Sequence, residues 1–473
     1  MEQRPPSDGD DLFEWTDAPA RPPRAPSEPG TGERERPGTG EQEGFGTGER
    51  DRVGTGERDR VGTGERDRVG TGERDRLSTA ERRRIRGDTG EFERSGRRPP
   101  PGRRARRRDL PARVRRRQDF MVGGAALLVI ILLIVLISSG GGSSEQPVPL
   151  KRLVGQTIVA KLGSKGPDQD LIKRVRKGQV GGLIAFESDA NQLKGDVQQL
   201  QAAASAGDNP PLLVMVDQEG GDVKRIKAGP PDISPVDLGK SGDEGQSKDQ
   251  GQKTGAFLKG LGVNVDLAPV LDVSQPNTAD SIKSRTFGSS PDTVAKVGVA
   301  FAQGLQDGGA VATAKHFPGL GRATANTDDQ SVSIAATSDQ LQSDLKPFRA
   351  AVAGGVGMVM VSTATYKTLG ANKPAALSPT IVKGLLRGQL GFDGVVITDD
   401  LEGAAISGTQ PPVVAARSAL LAGDDLLLYA TSTRTSGQAL GQLVKEVKGG
   451  QLDRSVVQAA YDRITDLKAS PTG

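Results

Sequence analysis

Short apolar runs recur over about the last two-thirds of the chain, and helix-like stretches rich in Ala, Leu, Gln and Lys separate them. The runs are rich in β-branched residues and stay apolar at consecutive positions, which is typical of strands buried on both faces of a parallel sheet. The predicted strands are Gly181–Phe186, Pro211–Val216, Val263–Val273, Gly309–Phe317, Gly357–Ser362, Gly394–Asp400 and Asp424–Ala430.

Helices are predicted between these strands, for example over residues 292–309 and 378–391. Roughly seven or eight strand–helix units in about 320 residues favour a TIM-type (β/α)8 barrel over a doubly wound sheet. The pattern therefore predicts an α/β fold in which residues 151–473 form one barrel.

Polar side chains follow several predicted strands directly, where a barrel carries the carboxyl ends of its strands. Active sites of such barrels form at that end, although loops there are often polar for no functional reason. Because charged residues directly continue apolar runs here, we expect an active site among them. The positions are Asp217, Gln218, Glu219, Asp272, Lys315, His316, Asp399 and Asp400.

Residues 1–119 contrast with the barrel, because they contain very few apolar side chains and many Arg, Gly, Pro, Glu and Asp residues. Such a segment cannot bury enough apolar surface to offset the entropy of ordering, so it is predicted to be disordered. The eight-residue unit GTGERDRV begins at Gly46, Gly54 and Gly62. A solvated spacer or interaction tail is the expected role.

A transmembrane helix is predicted at residues 120–139, followed by a linker at 140–150. Residues 121–137 carry no charge, and about eighteen apolar residues span a bilayer. The arginine run RRARRRDLPARVRRRQDF precedes them at residues 103–120. The positive-inside rule then places the tail in the cytoplasm and the barrel outside, as in a single-pass protein of the cell membrane. The arginines are expected to contact anionic lipid, and no nucleic-acid partner is expected.

The chain has no cysteine and one histidine, which excludes disulfides, thiol catalysis and Cys-ligated metals and makes a zinc site improbable. No metal and no cofactor is therefore expected, and carboxylates are the best candidates for chemistry. Glycoside hydrolysis uses two of them. Asp399, Asp400 and Glu402 follow one strand, but only one of the adjacent aspartates can face a pocket squarely. Asp217 and Arg225 either clamp a sugar or form a structural ion pair.

Five motifs occur in one order: VDQEGGDVKRI, LAPVLDV, SRTFGSSPD, TAKHFPGLG and GFDGVVITDDLEG. Together they resemble the signatures of glycoside hydrolase family 3, in particular its single-domain bacterial β-N-acetylglucosaminidases, over about Val154 to Lys468. The resemblance implies a TIM-type barrel and a retaining, exo-acting hydrolase that removes terminal β-linked N-acetylglucosamine, with peptidoglycan fragments as one source.

Residue roles follow from the same resemblance. Asp399 matches the nucleophile. The residues that match sugar-binding positions are Asp217, Arg225, Arg285, Lys315 and His316. The lone histidine would accordingly bind substrate; a buried structural histidine is the alternative, but it would leave the adjacent Lys315 buried without purpose.

The chain departs from the family at the acid/base. Family members continue with KHFPGHG and then Asp-Ser-His, whose histidine transfers the proton and whose aspartate orients it. Here Leu320 replaces the first loop histidine, Asn326 stands at the orienting aspartate, and Asp328 falls at the catalytic histidine. Asp328 could be the acid/base, another carboxylate could supply the proton, or the domain could bind sugar without turnover. A β-glucosidase-type specificity and a catalytically silent, membrane-tethered sugar-binding module are the rival functions.

Overall fold

The fold is built around eight parallel strands in a computed structural model that describes residues 147–186 and 189–470. The strands are β1 (Ile158–Lys161), β2 (Gly182–Ala185), β3 (Leu213–Val216), β4 (Val265–Asp266), β5 (Val311–Phe317), β6 (Met358–Val361), β7 (Val395–Thr398) and β8 (Leu427–Tyr429).

The eight strands follow the order β8-β1-β2-β3-β4-β5-β6-β7, so every neighbour except β8 and β1 is consecutive in the chain. A single parallel bridge between Ile397 and Leu426 links β7 to the residue before β8. The sheet is therefore a nearly closed barrel, which confirms the predicted barrel fold. Its interior is filled by aliphatic side chains from all the strands, including Val159, Met215 and Ile397.

Two predictions about the strands were wrong. The sequence pattern missed β1, because only three of its residues are apolar and the strand ends in the charged Lys161. The predicted strand Val263–Val273 is reduced to β4 and an isolated bridge between Val270 and Lys315. Pro269 lies inside that run and has no N–H to donate to a ladder.

Helices surround the barrel and connect successive strands. The α-helices are Leu150–Gly155, Gln169–Arg176, Ala190–Ser205, Pro235–Ser241, Glu244–Leu261, Asp280–Lys283, Pro291–Thr293, Val299–Asp307, Ser338–Asp344, Lys346–Ala353, Ala404–Ser407, Pro412–Ala422, Thr433–Lys448 and Arg454–Ala469. The two helices predicted over residues 292–309 and 378–391 are present, and both contain π-helical turns, Val294–Gly298 and Thr380–Gln389.

One helix pair shows how the sequence sets the packing. Helix Glu244–Leu261 lies against helix Val299–Asp307 through glycines: a Cβ added to Gly251 would lie 2.2 Å from the Phe301 carbonyl oxygen. The first helix begins where the Asp243 side chain accepts the Gln246 N–H and ends at Gly262, which has a φ of 82°.

The predicted tail, the predicted transmembrane helix at 120–139 and the linker up to residue 146 lie outside the described residues. Within the described part, folded structure begins at Leu150, one residue before the predicted barrel boundary. In that part, no helix is both long and apolar enough to cross a bilayer.

Candidate active site

A cavity of about 390 Å³ lies at the carboxyl end of the barrel strands. It brings together the side chains to which the family resemblance assigned a position in the site: Asp217, Arg225, Arg285, Lys315, His316, Asn326, Asp328 and Asp399. These residues come from four separate segments of the chain, so their meeting depends on barrel closure. Further lining residues include Lys161, Phe186, Leu320, Asp400, Glu402 and Thr431.

One wall of the cavity is a buried cluster of acids and bases centred on Lys315, at β5. Its Nζ lies 2.6 Å from Asp217 Oδ1 and 2.6 Å from Glu219 Oε1, and the side chain is 1% exposed. Arg285 donates from Nε and Nη2 to the two oxygens of Glu219, at 2.8 and 2.6 Å. The paired carboxylates offset the cost of burying the cations, so the donors are held in fixed positions.

Electrostatic effects in this cluster favour charged side chains. Burial opposes ionisation of Glu219, but the adjacent Arg285 and Lys315 outweigh it and lower the Glu219 pKa to about 2. Burial likewise tends to lower the pKa of Lys315, but Asp217 and Glu219 raise it overall. The pKa of Arg285 is raised by Glu219 in the same way. The wall is therefore an array of fixed charges at neutral pH.

Arg225 reaches the cavity from a hairpin formed by Gln218–Gly220 and Val223–Lys224. The Gln218 amide group fixes the returning chain, because it accepts the Ile226 N–H and donates to the Ile226 and Pro230 carbonyls. The Arg225 guanidinium lies 3.8 Å from Asp217 Oδ2 and 5.3 Å from the centre of the Phe186 ring. It is 30% exposed, so it is accessible to a ligand.

The lone histidine has a buried carboxylate partner. Asp272 Oδ2 lies 2.7 Å from His316 Nδ1, and Asp272 Oδ1 accepts the backbone N–H groups of His316 and Leu320. A carboxylate at Nδ1 fixes the orientation of the ring and leaves Nε2 for another partner. Asp272 is fully buried, so it acts on the site through His316.

Asp399 directly follows β7, and its backbone N–H still donates to the Val361 carbonyl of β6. Its Oδ1 accepts the Asp400 N–H at 2.9 Å. Asp400 instead stabilises the loops that follow β7 and β8: its Oδ1 accepts the N–H groups of Glu402 and Ala430. Burial raises the Asp400 pKa to about 6, against those two N–H donors. The two aspartates thus have different environments, as their alternation along the chain predicts.

The loop that carries Asp328 lies against the segment that follows Asp399. The Ala404 N–H donates to the Asp328 carbonyl at 2.9 Å, and the Ala405 N–H donates to the Thr327 carbonyl at 3.0 Å. The two candidate catalytic carboxylates are therefore held on segments that are hydrogen-bonded to each other.

Asp328 itself lies on the exposed side of this loop, at the cavity mouth. The surrounding protein raises its pKa, and the negative charge of Asp399 raises it further. Asn326 opposes this rise: its Nδ2 lies 3.4 Å from Asp328 Oδ2, and its Oδ1 accepts the Asp328 N–H. A carboxyl with a raised pKa retains its proton to higher pH, as a general acid requires.

Sequence reasoning assigned no role to Glu219 or Asp272, although both were among the polar positions that follow predicted strands. Their contacts with Arg285, Lys315 and His316 show that they hold the predicted sugar-binding side chains in place. Among the described residues, no group of three or more His, Asp or Glu side chains is arranged to hold a metal ion.

Comparisons with known proteins agree with this geometry. The family model "Glycosyl hydrolase family 3 N terminal domain" matches residues 151–467. A beta-hexosaminidase named LpqI from Mycobacterium tuberculosis is 34% identical over 303 residues, which cover 62% of this chain and 77% of LpqI. An uncharacterized secreted glycosyl hydrolase from Arthroderma benhamiae is 34% identical over 330 residues, or 67% of this chain and 92% of the relative.

Solved structures of related enzymes also match this chain. A family 3 beta-N-acetylglucosaminidase from Paenibacillus matches with a TM-score of 0.66 and 33% identity, covering 68% of this chain and 62% of that one. A beta-N-acetylhexosaminidase from Beutenbergia cavernae matches with a TM-score of 0.63 and 32% identity, covering 68% of this chain and 99% of that one.

Proposed function

The chain belongs to glycosyl hydrolase family 3, and from that premise we propose that it is a β-N-acetylhexosaminidase that removes terminal β-linked N-acetylglucosamine with retention of configuration. The observation that carries the proposal is the meeting of Asp399 and Asp328 in one cavity with the buried Lys315 cluster. Relatives named beta-hexosaminidase support the substrate class.

In the proposed first step, a carboxylate oxygen of Asp399 attacks the anomeric carbon while the bond to the leaving oxygen breaks. Asp328 gives its proton to that oxygen, and a covalent glycosyl-enzyme remains. In the second step Asp328 takes a proton from water as the water oxygen attacks the anomeric carbon. The bond to Asp399 then breaks, and Asp328 is again protonated.

Two observations support Asp328 as the acid/base. The surrounding protein and the charge of Asp399 raise its pKa, which is the direction that a general acid requires. The loop that carries it is hydrogen-bonded to the segment after Asp399, so both carboxyl groups are held at the same cavity. Asn326 contacts Asp328 at the position of the family's orienting aspartate and would restrict its orientation.

The remaining side chains would bind the sugar. Lys315, Arg285, Arg225 and His316 offer donors to hydroxyl groups, and Asp217 offers an acceptor. A cavity of about 390 Å³ is at the small end of the range for ligand sites. This size favours one terminal sugar over a long glycan, and terminal sugars of peptidoglycan fragments are the proposed natural substrate.

The first test is hydrolysis of an activated aryl β-N-acetylglucosaminide by the full chain and by the Asp399→Ala variant. We expect turnover only with the unchanged protein, and an NMR spectrum of the first-formed sugar in the β configuration. Equal activity of the two proteins would contradict the proposed nucleophile, and a first-formed α sugar would contradict retention.

Rival functions are separated by the same assay. Faster hydrolysis of the matching aryl β-glucoside would indicate glucosidase-type specificity. A protein that binds N-acetylglucosamine in calorimetry but hydrolyses neither glycoside would be the silent binding module, for which the replaced family histidine is the supporting observation.

The proposed location is the outer face of the cell membrane, with residues 120–139 as the anchor. The uncharged run and the preceding arginines support it. The relative described as secreted is consistent with a site outside the cytoplasm. Membrane fractionation combined with protease treatment of intact cells tests this: the barrel should sediment with membranes and be cleaved from outside.

A further inference from the structure

Asp266, the last residue of β4, is a fully buried carboxyl behind the sugar-binding wall. It does not line the cavity, and its Oδ2 has no hydrogen-bond partner among the described residues. A buried carboxyl with an unsatisfied oxygen destabilises a fold, so its presence suggests that it serves another purpose. Its contacts indicate what that purpose is.

The Asp266 carboxyl holds the main chain of the neighbouring strand end. Its Oδ1 accepts the Gln218 backbone N–H at 2.9 Å. The residues on either side of Gln218 are Asp217 and Glu219, whose carboxylates each lie 2.6 Å from Lys315 Nζ. The Asp266 bond thus fixes the backbone position from which both carboxylates reach the lysine.

We propose that Asp266 is a positioning residue for sugar binding, whose carboxyl fixes the turn that directs Asp217 and Glu219 at Lys315. It acts through these groups and does not touch the substrate. The inference rests on the proposed function only in taking the ligand of the cavity to be a sugar.

The charges that face Asp266 add a dependence on pH. Burial raises its pKa to about 8, although the Gln218 N–H and Lys315 lower it; Asp217 and Glu219 raise it further. Asp266 is therefore protonated at neutral pH and ionises as the pH rises through about 8. Ionisation adds a negative charge beside the cluster. Because this charge attracts the Lys315 ammonium away from the cavity, the affinity for sugar should fall above that pH.

Two substitutions in the full chain separate positioning from charge. In Asp266→Asn the side-chain oxygen can still accept the Gln218 N–H, but the group no longer titrates. In Asp266→Ala the acceptor is lost. Asp424→Asn is the matched control. Asp424 is a similarly buried carboxyl, and neither of its oxygens has a hydrogen-bond partner in the part of the chain that the structure describes. It lies before β8, outside the cavity lining.

The measurement is the dissociation constant of N-acetylglucosamine by calorimetry at pH 6.5 and pH 9, with melting curves to verify folding. We expect Asp266→Ala to weaken binding roughly two- to tenfold at pH 6.5, the effect of one lost hydrogen bond. Asp266→Asn should bind like the unchanged protein at pH 6.5 and lose the weakening at pH 9. The Asp424→Asn control should bind like the unchanged protein at pH 6.5 and should still bind more weakly at pH 9.

The inference is overturned if folded Asp266→Ala binds the sugar as tightly as the unchanged protein, or if Asp266→Asn still weakens at pH 9. Because binding is measured without turnover, failure of the proposed hydrolysis leaves this result interpretable. If the unchanged protein does not bind N-acetylglucosamine at all, both the proposed function and this inference fail.

Discussion

Replacing Glu219 by glutamine removes one charge from the Lys315 cluster while keeping the side chain's shape. Glu219 is 3% exposed and accepts hydrogen bonds from Arg285. With glutamine at this position, Lys315 remains buried with Asp217 as the nearest carboxylate of the cluster, and Arg285, which is 20% exposed, loses its charged partner. We expect a large loss of stability, because a buried ion pair that loses one partner leaves an uncompensated charge.

The magnitude follows from the pKa of Glu219, which falls from an ordinary 4.5 to about 2. One pKa unit corresponds to about 1.4 kcal/mol, so the folded environment stabilises the charged form by ~3 kcal/mol. Removal of one partner from a buried pair typically costs about 3–5 kcal/mol, which agrees. Since the pKa is depressed, this stabilisation is fully present above pH 4.5 and is lost as the pH falls towards 2.

The assay is urea unfolding followed by far-ultraviolet circular dichroism at pH 7 and at pH 3. Glu244→Gln is the matched control: Glu244 pairs with Lys296 at 2.9 Å, but both side chains are more than half exposed. Exposed pairs contribute about 0–1 kcal/mol. The free energy of unfolding should therefore fall much more in Glu219→Gln than in Glu244→Gln at pH 7, and the gap should narrow at pH 3.

Equal losses in the two variants would refute the reasoning, since burial is the difference between the two pairs. A loss in Glu219→Gln that is the same at pH 7 and pH 3 would also refute it, because the depressed pKa requires the difference to shrink in acid.

Three further predictions address the acid/base Asp328, the histidine His316 and the buried Lys468 of the last helix. Asp328→Asn should lower kcat/KM by roughly 10²–10⁴ on glycosides with poor leaving groups and far less on activated aryl glycosides; an equal loss on both would exclude Asp328 as the acid. Asp272→Asn should raise KM roughly tenfold with a smaller change in kcat, because His316 loses a charged acceptor; unchanged KM would contradict this. Burial lowers the pKa of Lys468 to about 7, so the unfolded chain binds its proton up to about pH 10 while the folded chain does not. Stability should thus rise between pH 7 and pH 9.5, and Lys468→Met, compared by urea unfolding, should lack that rise.

The barrel and the identity of the side chains around the cavity could be predicted from the sequence. Apolar runs followed directly by Asp217, Lys315 or Asp399 reveal both a buried strand and its polar carboxyl end, because the two signals are local in the chain. The runs do not fix strand ends, so β1 was missed and β4 was predicted too long.

The partner of each charged group depends on the three-dimensional fold and could not be predicted from the sequence. Glu219 meets Arg285, Asp272 meets His316 and Asp266 meets the Gln218 backbone. These contacts join residues 44 to 66 positions apart, and neither spacing nor composition encodes the distance between them. The pKa values of the buried groups depend on that distance and on burial, so they can be inferred only from the three-dimensional structure.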